Sequence, residues 1–283
     1  SGICSALGHR VGTYTSPHIF EFNERVKILG KVVSDESLVA AFEQVEKARG
    51  DISLTYFEFT TLAALLILHE AELDCAVLEV GLGGRLDTVN LVDADCVVIT
   101  PIGLDHQDFL GPDIESIARE KAGVMRAGVP VICTQSSPPG TLVQHAAELR
   151  APLIARERDY SLEVVDDADD AMFKFSMGEV EFNVPEPVMD GHHQLDNLAA
   201  SLAATVLMNP RLAEKQEQVA NALRRCQLPG RLQRVATRPE VLLDVGHNEL
   251  AAEAIASALA DAGKNDIICV LAMLADKIGR AHV

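Results

Sequence analysis

Two apolar runs, Cys75–Val80 and Cys96–Thr100, constrain the fold of this chain more than any other feature. Each has the length and β-branched content of a strand buried on both faces. Such strands belong to parallel sheets covered by helices, because a sheet with one wet face alternates polar and apolar residues. Each run ends in a glycine-bearing loop carrying polar groups. The first is Glu79 with Gly81, Gly83 and Gly84; the second is Asp105-His106. In an open parallel sheet the carboxyl ends of the strands share one edge, and ligands bind there. The pattern therefore predicts Glu79, Asp105 and His106 on one rim, where a carboxylate and an imidazole can hold a metal or move a proton.

A third group follows Gly111-Pro112. The spacing predicts a helix over 113–126, with acidic residues in the first turn, where they favour the dipole. Ile114, Ile117, Ala118 and Met125 form its apolar stripe, and Lys121 falls within that stripe. A lysine on a buried helix face is costly to leave charged and unpaired. It can snorkel, pair with an acid such as Glu115 or Glu120, or be chemically altered.

Length and charge bound the rest. The 283 residues make one large domain or two, with enough chain for a sizeable core. A formal net charge of −18 argues against nucleic acid and anionic membranes as general partners, although an acidic protein can take an anionic ligand through magnesium and local lysines. No run approaches the roughly 18 apolar residues of a membrane span. The six cysteines lack C-x-x-C spacing, and several sit within apolar strands, which points to reduced thiols and a cytoplasmic protein.

Along the chain, Ser1–Leu7 reads as the last turns of a helix, followed by a strand at Arg10–Tyr14. Thr15-Ser16-Pro17-His18 leaves that strand. Arg25–Ile28 and Val32–Val33 read as a short hairpin, and Ser34 as the cap of a helix running to about Lys47. Thr55 to Thr60 introduces an apolar helix. Its Tyr56, Phe57 and Glu58 suit a flat polar ligand, while Leu62 to Leu68 read as core. Val129–Cys133, Thr141–Leu149 and Pro152–Ala155 continue as strand, helix, strand. Ser161–Val165, Met172–Met177 and Val180–Val184 then alternate as antiparallel strands. Helices are predicted over His193–Met208 and Leu212–Arg225, with Cys226–Arg231 as a linker. Beyond it come the strand Val241–Val245, the turn Gly246-His247-Asn248, the helix Glu249–Ala262 and a strand at Ile267–Met273. No G-x-x-x-x-G-K-[ST] phosphate loop occurs in this sequence.

The segments YTSPH, FNERV, TYFEFTTLAAL, LEVGLGGRLDTVN, IGLDHQDFLG, AREKAG, HQLDN, LPGR and LDVGHN occur here in order. Together they resemble the folylpolyglutamate synthase/dihydrofolate synthase family, which is related to the Mur peptide ligases. The bifunctional bacterial form looks most similar through GGRLDTVN. The resemblance implies an α/β fold: a Mur-ligase-like central domain of the P-loop type, with a mostly parallel sheet and a small antiparallel one. Residues 1–231 correspond to this ATP-binding domain, and residues 232–283 to the beginning of a Rossmann-like glutamate-ligase domain. In the family a loop of the type G-T-N-G-K-G-[ST] lies a few residues before the position of Ser1. The expectation is therefore of a fragment that binds ATP weakly and does not turn over alone. The tail Ile278–Val283 departs from the family pattern, as does Glu249, where the family usually has proline.

Position by position, the resemblance implies that Ser16 and Glu79 ligate a magnesium bridging the ATP phosphates, and His106 a second magnesium. Lys121 matches a carbamylated lysine, so that Lys121, His106 and Glu79 would be the catalytic set. Thr55, Tyr56, Phe57, Glu58, Leu86, Asp87 and Thr88 look like pterin-side contacts. Asn197, Arg231 and Asp244 look like nucleotide contacts, with His247 nearby. The implied reaction is ATP-dependent amide formation between L-glutamate and dihydropteroate or a folate γ-carboxylate, by a cytoplasmic monomer with small-molecule partners only. Each position has a plainer reading too. Ser16 can merely end a strand, His106 can be a loop histidine, and Asn197 can bond within its helix. Arg231 can be a surface linker residue, and Asp244 can cap the helix that follows it. Another Mur-type ligase acting on a cell-wall precursor, and a catalytically incompetent piece, are the competing functions.

Overall fold

A computed structural model describes residues 1–166, 171–264 and 266–272. Its elements pack as three groups and a final hairpin–helix unit. The short α1 (Gly2–Ala6) sends Ile3 into the core of the third group. The first group follows it and holds β1 (Val11–Tyr14), β2 (Val26–Ile28), β3 (Lys31–Val32), α2 (Asp35–Arg49), α3 (Tyr56–Glu70) and β4 (Cys75–Leu78). Its sheet runs β3-β2-β1-β4, with β1 and β4 parallel and the other pairs antiparallel. Ser34 caps α2 by accepting the Ser37 N–H. Leu38, Ala41 and Val45 of α2 close with Ala63, Ala64, Ile67 and Leu68 of α3 on Tyr14 and Val26. Tyr14 is fully buried, and its hydroxyl meets Thr61 Oγ1 at 3.0 Å, which satisfies the polar end of an otherwise apolar ring.

The second group holds β5 (Val97–Ile99), α4 (Gln107–Leu110), α5 (Ile114–Ala122), β6 (Val131–Cys133), α6 (Gly140–Glu148) and β7 (Leu153–Ala155). Its three strands form a parallel sheet in the order β5-β6-β7. Side chains on a strand alternate in direction. Val131 and Cys133 thus pack with Ile117, Ala118 and Leu142 of the helices, while Ile132 enters the neighbouring core. That core belongs to the third group: the antiparallel meander β8 (Tyr160–Asp166), β9 (Met172–Met177) and β10 (Val180–Pro185), with α7 (His192–Met208) and α8 (Gln216–Leu223). Phe175, Phe182, Leu198, Leu202 and Val219 fill it. The final unit is the hairpin β11 (Gln233–Thr237) and β12 (Glu240–Leu243), followed by α9 (Glu249–Asp261). Among the described residues no helix is long and apolar enough to cross a membrane.

Several expectations need correction. The runs at Cys75 and Cys96 are strands, but they lie in separate hydrogen-bonded sheets, and each leaves residues exposed: Ala76 and Val77 in β4, Val98 in β5. Among the described residues, the strand buried on both faces is β6, because helices cover one of its sides and the α7 core the other. The predicted helix 113–126 stops at Ala122. Arg85 crosses so close to Gly123 that a β-carbon there would lie 2.3 Å from Arg85 Cβ. The short helix α4 carries no sequence signal strong enough to announce it, nor does β11 as the partner of β12. Residues 267–272 form no strand, since a strand needs a partner and they have none among the described residues; Met273 lies outside those residues, as does the tail Ile278–Val283.

The meander core generates a direct test. Phe175 is fully buried, so Phe175→Ala should cost about 3–5 kcal/mol in the denaturant-unfolding free energy, through lost burial plus a cavity.

Candidate active site

Parallel pairing of Tyr14 with Leu78 brings the ends of β1 and β4 side by side. The next residues out are the predicted site residues. The Glu79 N–H donates to the Tyr14 carbonyl at 2.9 Å, and the Ser16 N–H donates to Glu79 Oε2 at 2.8 Å. Burial pushes the Glu79 carboxyl above its usual range, while the Ser16 N–H and the charge of Arg231 pull it back. This carboxylate is thus held by the sheet, partly stripped of water, and faced by a cation from the linker before β11.

The loop after Glu79 is folded by Asp87. Its Oδ2 accepts the N–H groups of Gly81 (3.0 Å) and Leu82 (2.9 Å), and its Oδ1 accepts that of Val89 (2.9 Å), capping a 3-10 turn at Thr88–Leu91. Three backbone donors account for the carboxylate, so Asp87 organises the loop and leaves Leu86, 79% exposed, at its outer surface. The same loop lies on α5. The Arg85 N–H donates to the Glu120 carbonyl at 2.8 Å, and the Arg85 guanidinium pairs with the Glu120 carboxylate at 3.0 Å. A β-carbon on Gly84 would lie 2.9 Å from the Glu120 carbonyl oxygen, too close for any side chain, so glycine is required there.

Thr55 and Glu58 form a capping box at the start of α3: the Glu58 N–H donates to Thr55 Oγ1 at 3.2 Å, and the Thr55 N–H to Glu58 Oε2 at 2.6 Å. Their polar atoms are committed to the helix end. Phe57 packs against Gly81 and Tyr14, while Tyr56 stays 62% exposed. Beside Tyr56 lies Arg25, which the sequence reading of FNERV left without a role. It is only 7% exposed, its guanidinium stands 5.6 Å from the ring centres of both Phe22 and Tyr56, and its Nε donates to His18 Nδ1 at 3.0 Å.

On the β5 side, Asp105 Oδ1 accepts the His106 N–H at 2.7 Å, and His106 adopts a left-handed conformation (φ 50°, ψ 36°) at the start of α4. Lys121 lies on α5 near its end, half-buried, on the helix whose Ile117 and Ala118 enter the core. Burial lowers its pKa, and the Asp105 charge acts in the opposite sense. The two acids considered as its partners are engaged elsewhere. Glu120 pairs with Arg85, and Glu115 accepts the Gly140 and Thr141 N–H groups at the start of α6.

The third side comes from α7 and the β12 turn. Asp244 Oδ2 accepts the Leu232 N–H (2.8 Å) and Oδ1 the Gly246 N–H (2.6 Å), so it ties the linker to the turn instead of capping α9. Asn248 caps that helix. Asn197 Nδ2 donates to Gln194 Oε1 at 3.3 Å, and Gln194 Nε2 meets His193 Nε2 at 3.0 Å. Burial lowers the His193 pKa, Asp244 opposes this and Arg231 adds to it. Arg231 is therefore the charge shared by Glu79 and His193. His247 is exposed, and its Nδ1 lies 3.0 Å from the Val245 carbonyl. His193 opens the HQLDN motif, but the sequence assigns it no role; its nearness to Arg231 and Asp244 exists only in the fold.

The donors fit a magnesium held chiefly by other ligands. Glu79 keeps one carboxylate oxygen beyond the Ser16 bond, and the Ser16 hydroxyl belongs to the residue that makes that bond. Magnesium typically takes one or two protein carboxylates, with water and phosphate oxygens completing its octahedron. Among the described residues, no group of three or more His, Cys, Asp or Glu could hold an ion by itself.

Residues 26–205 match the Mur ligase middle domain, and residues 230–282 the Mur ligase glutamate ligase domain. The chain belongs to the Mur ligase family. Within that family its relatives are dihydrofolate synthase/folylpolyglutamate synthases, as the motif order implied. It is 42% identical over 278 residues to the Escherichia coli (strain K12) protein of that name, across 97% of this chain and 63% of the relative. Among solved structures, E. coli FolC in complex with DHPP and ADP superposes with a TM-score of 0.83 at 40% identity, covering 94% of this chain and 62% of that one. A bifunctional folylpolyglutamate synthase/dihydrofolate synthase with Mn, AMPPNP and L-glutamate bound gives 0.82 at 42% identity, covering 92% and 61%. This Mur ligase chain thus spans less than two thirds of the length of these relatives.

The Glu79 environment makes a signed prediction. Its folded pKa is raised, so the protonated form fits the fold better than the anion does. Glu79's contribution to stability is therefore full below the ordinary glutamate range and is lost as pH rises through the folded pKa. Without metal, Glu79→Gln should unfold at a higher temperature than the unmodified protein at pH 7. The gap should close in the acid range, and a gap constant with pH would refute the assignment.

Proposed function

We propose that this chain is the core of an ATP-dependent ligase that joins the amine of L-glutamate to the carboxylate of dihydropteroate or of a folate. The observation that carries the reading is the convergence of Glu79, Arg231, His193 and Asp244 from four parts of a Mur ligase chain. Titratable groups from the first group, the α7 end, the linker and the turn after β12 are thereby brought near one another. The ligands named for the solved relatives support it: ADP and AMPPNP, Mn, DHPP and L-glutamate. The carboxylate would attack the γ-phosphate of ATP to give an acyl phosphate. The glutamate amine then attacks the activated carbonyl, and phosphate leaves. Two anions meet in the first step, so it requires positive charge and close placement.

In this reading residues 1–231 are the ATP-binding domain and residues 232–283 the start of the glutamate-ligase domain. Ser16 and Glu79 would hold one magnesium and His106 a second. Magnesium, when bound, neutralises phosphate charge as it builds up. Asn197, Arg231, Asp244 and His247 serve the nucleotide side. Tyr56, Phe57, Leu86 and Thr88 offer side chains to the pterin side, where Thr55, Glu58 and Asp87 shape the walls. The test is phosphate release by the full-length protein with ATP, magnesium and glutamate. Dihydropteroate or a reduced folate should stimulate it, a UDP-linked peptide should not, and the reverse preference would overturn the reading. Glu79→Gln should abolish magnesium-dependent turnover; an active Glu79→Gln beside a dead Asp105→Asn would move the metal carboxylate to Asp105.

Lys121 is proposed to carry an N-carboxyl group. Burial leaves more of its amine neutral, and the neutral nitrogen adds to carbon dioxide, forming the N–C bond and releasing a proton. In bicarbonate, intact-protein mass measured without acidification should show the added carbon dioxide, and Lys121→Ala should not. Lys121→Ala should be inactive and regain part of its turnover with acetate. An unmodified lysine and no acetate rescue would mean that the ammonium works as it is.

A further inference from the structure

Asn248 makes two hydrogen bonds with different consequences. Its Oδ1 accepts the Ala251 N–H at 2.9 Å and caps α9. Its Nδ2 donates to Asp105 Oδ2 at 2.9 Å, joining residues 143 positions apart. The cap requires only an oxygen, which serine or aspartate would supply equally well. The second bond requires an amide of this length. At its far end, Asp105 also accepts the His106 N–H, so the same carboxylate governs the left-handed turn from which His106 projects. Apolar contact accompanies the bond. Leu250 lies over Gly103, where a β-carbon would be 2.3 Å from Leu250 Cδ1. The start of α9 and the loop 103–106 are thus pressed together as well as hydrogen-bonded.

These two loops belong to different parts of the site. Residues 230–282 match a glutamate ligase domain, while the Asp105–His106 loop and Lys121 belong to the middle domain. We propose that Asn248 is a positioning residue that orients Asp105 and so aligns the amine-donor half of the ligase with the His106–Lys121 half. The proposal rests on the ligase reading above and goes beyond it. Loss of the bridge should slow the step in which the two halves cooperate, attack of the amine on the activated carbonyl, and leave nucleotide affinity in place.

Asn248→Ser, Asn248→Asp and the exchange Asp105→Asn with Asn248→Asp separate bridge from cap, because all keep an oxygen for the Ala251 N–H. Serine is too short to reach Asp105, and aspartate sets a carboxylate against a carboxylate. In the full-length protein each single variant should lower kcat by about tenfold or more, the scale of one lost hydrogen bond to a charged group, with KM for ATP within about twofold. The exchange should recover most of that loss. The amide it places at position 105 keeps an oxygen for the His106 N–H and donates its own N–H to the carboxylate placed at position 248. Wild-type kcat in the single variants, or an exchange no better than the worse single, would overturn the proposal. A double-mutant cycle on the thermal unfolding midpoint gives a second reading that needs no turnover. The two substitutions should be strongly non-additive, and additive shifts would refute the bridge. An unmutated protein without folate-dependent turnover, but with that coupling, would sink the ligase reading and leave the bridge standing.

Discussion

The ladder between β1 and β4 is the constraint on which the site depends. Parallel pairing from Val11–Cys75 to Tyr14–Leu78 sets two strand ends at the same height, so Ser16 and Glu79 meet without a long side chain being ordered for the purpose. A carboxylate fixed at a strand end by a backbone N–H loses little freedom when it binds. Tyr14 locks the register from beneath: it is buried, bonded to Thr61, and packed against the Phe57 ring that also limits Gly81. The β1–β4 edge, the α3 end and the glycine loop consequently behave as one unit.

Around that edge the chain places charges so that few have an acid–base partner to themselves. Arg231 acts on both Glu79 and His193, and Asp105 acts on Lys121 while accepting bonds from His106 and Asn248. Shared charges suit a site that must receive a polyanion and metal ions, because a fully neutralised ion pair has little field left to offer. Groups that need fixed partners have them in the walls: Arg85 with Glu120, Glu115 with the start of α6, Glu58 with Thr55. These contacts give the site rigid sides.

Much of this was legible because local rules decide it. Ser34 and Thr55 start their helices where a hydroxyl can accept the N–H three residues on, and the alternation in β9 and β10 reports a meander with one packed face. The apolar stripe with Ile117 and Ala118 placed Lys121 on a buried helix face, and in the fold it is half-buried. Burial of β4 and β5 was misjudged for a reason the same rules cannot supply. An apolar run states what a strand can tolerate, and only its neighbours decide whether Val77 and Val98 are covered.

What the sequence determined by itself was the α/β class, the type of each main element, the ordered motifs of a Mur ligase, and the strand ends at which Glu79 and His106 emerge. These depend on hydrophobic period, capping and glycine, all of which act over a few residues. The tertiary structure decided which of those residues keep polar atoms to offer. Asp87, Thr55 and Glu58 spend theirs on loop and helix ends, whereas Glu79 keeps an oxygen to offer at the strand edge. It also decided that Asn248 reaches Asp105 and that Arg231 stands between Glu79 and His193. Hydrogen bonding and Coulomb attraction act through space over a few ångströms, so partners more than a hundred residues apart leave no trace in local pattern.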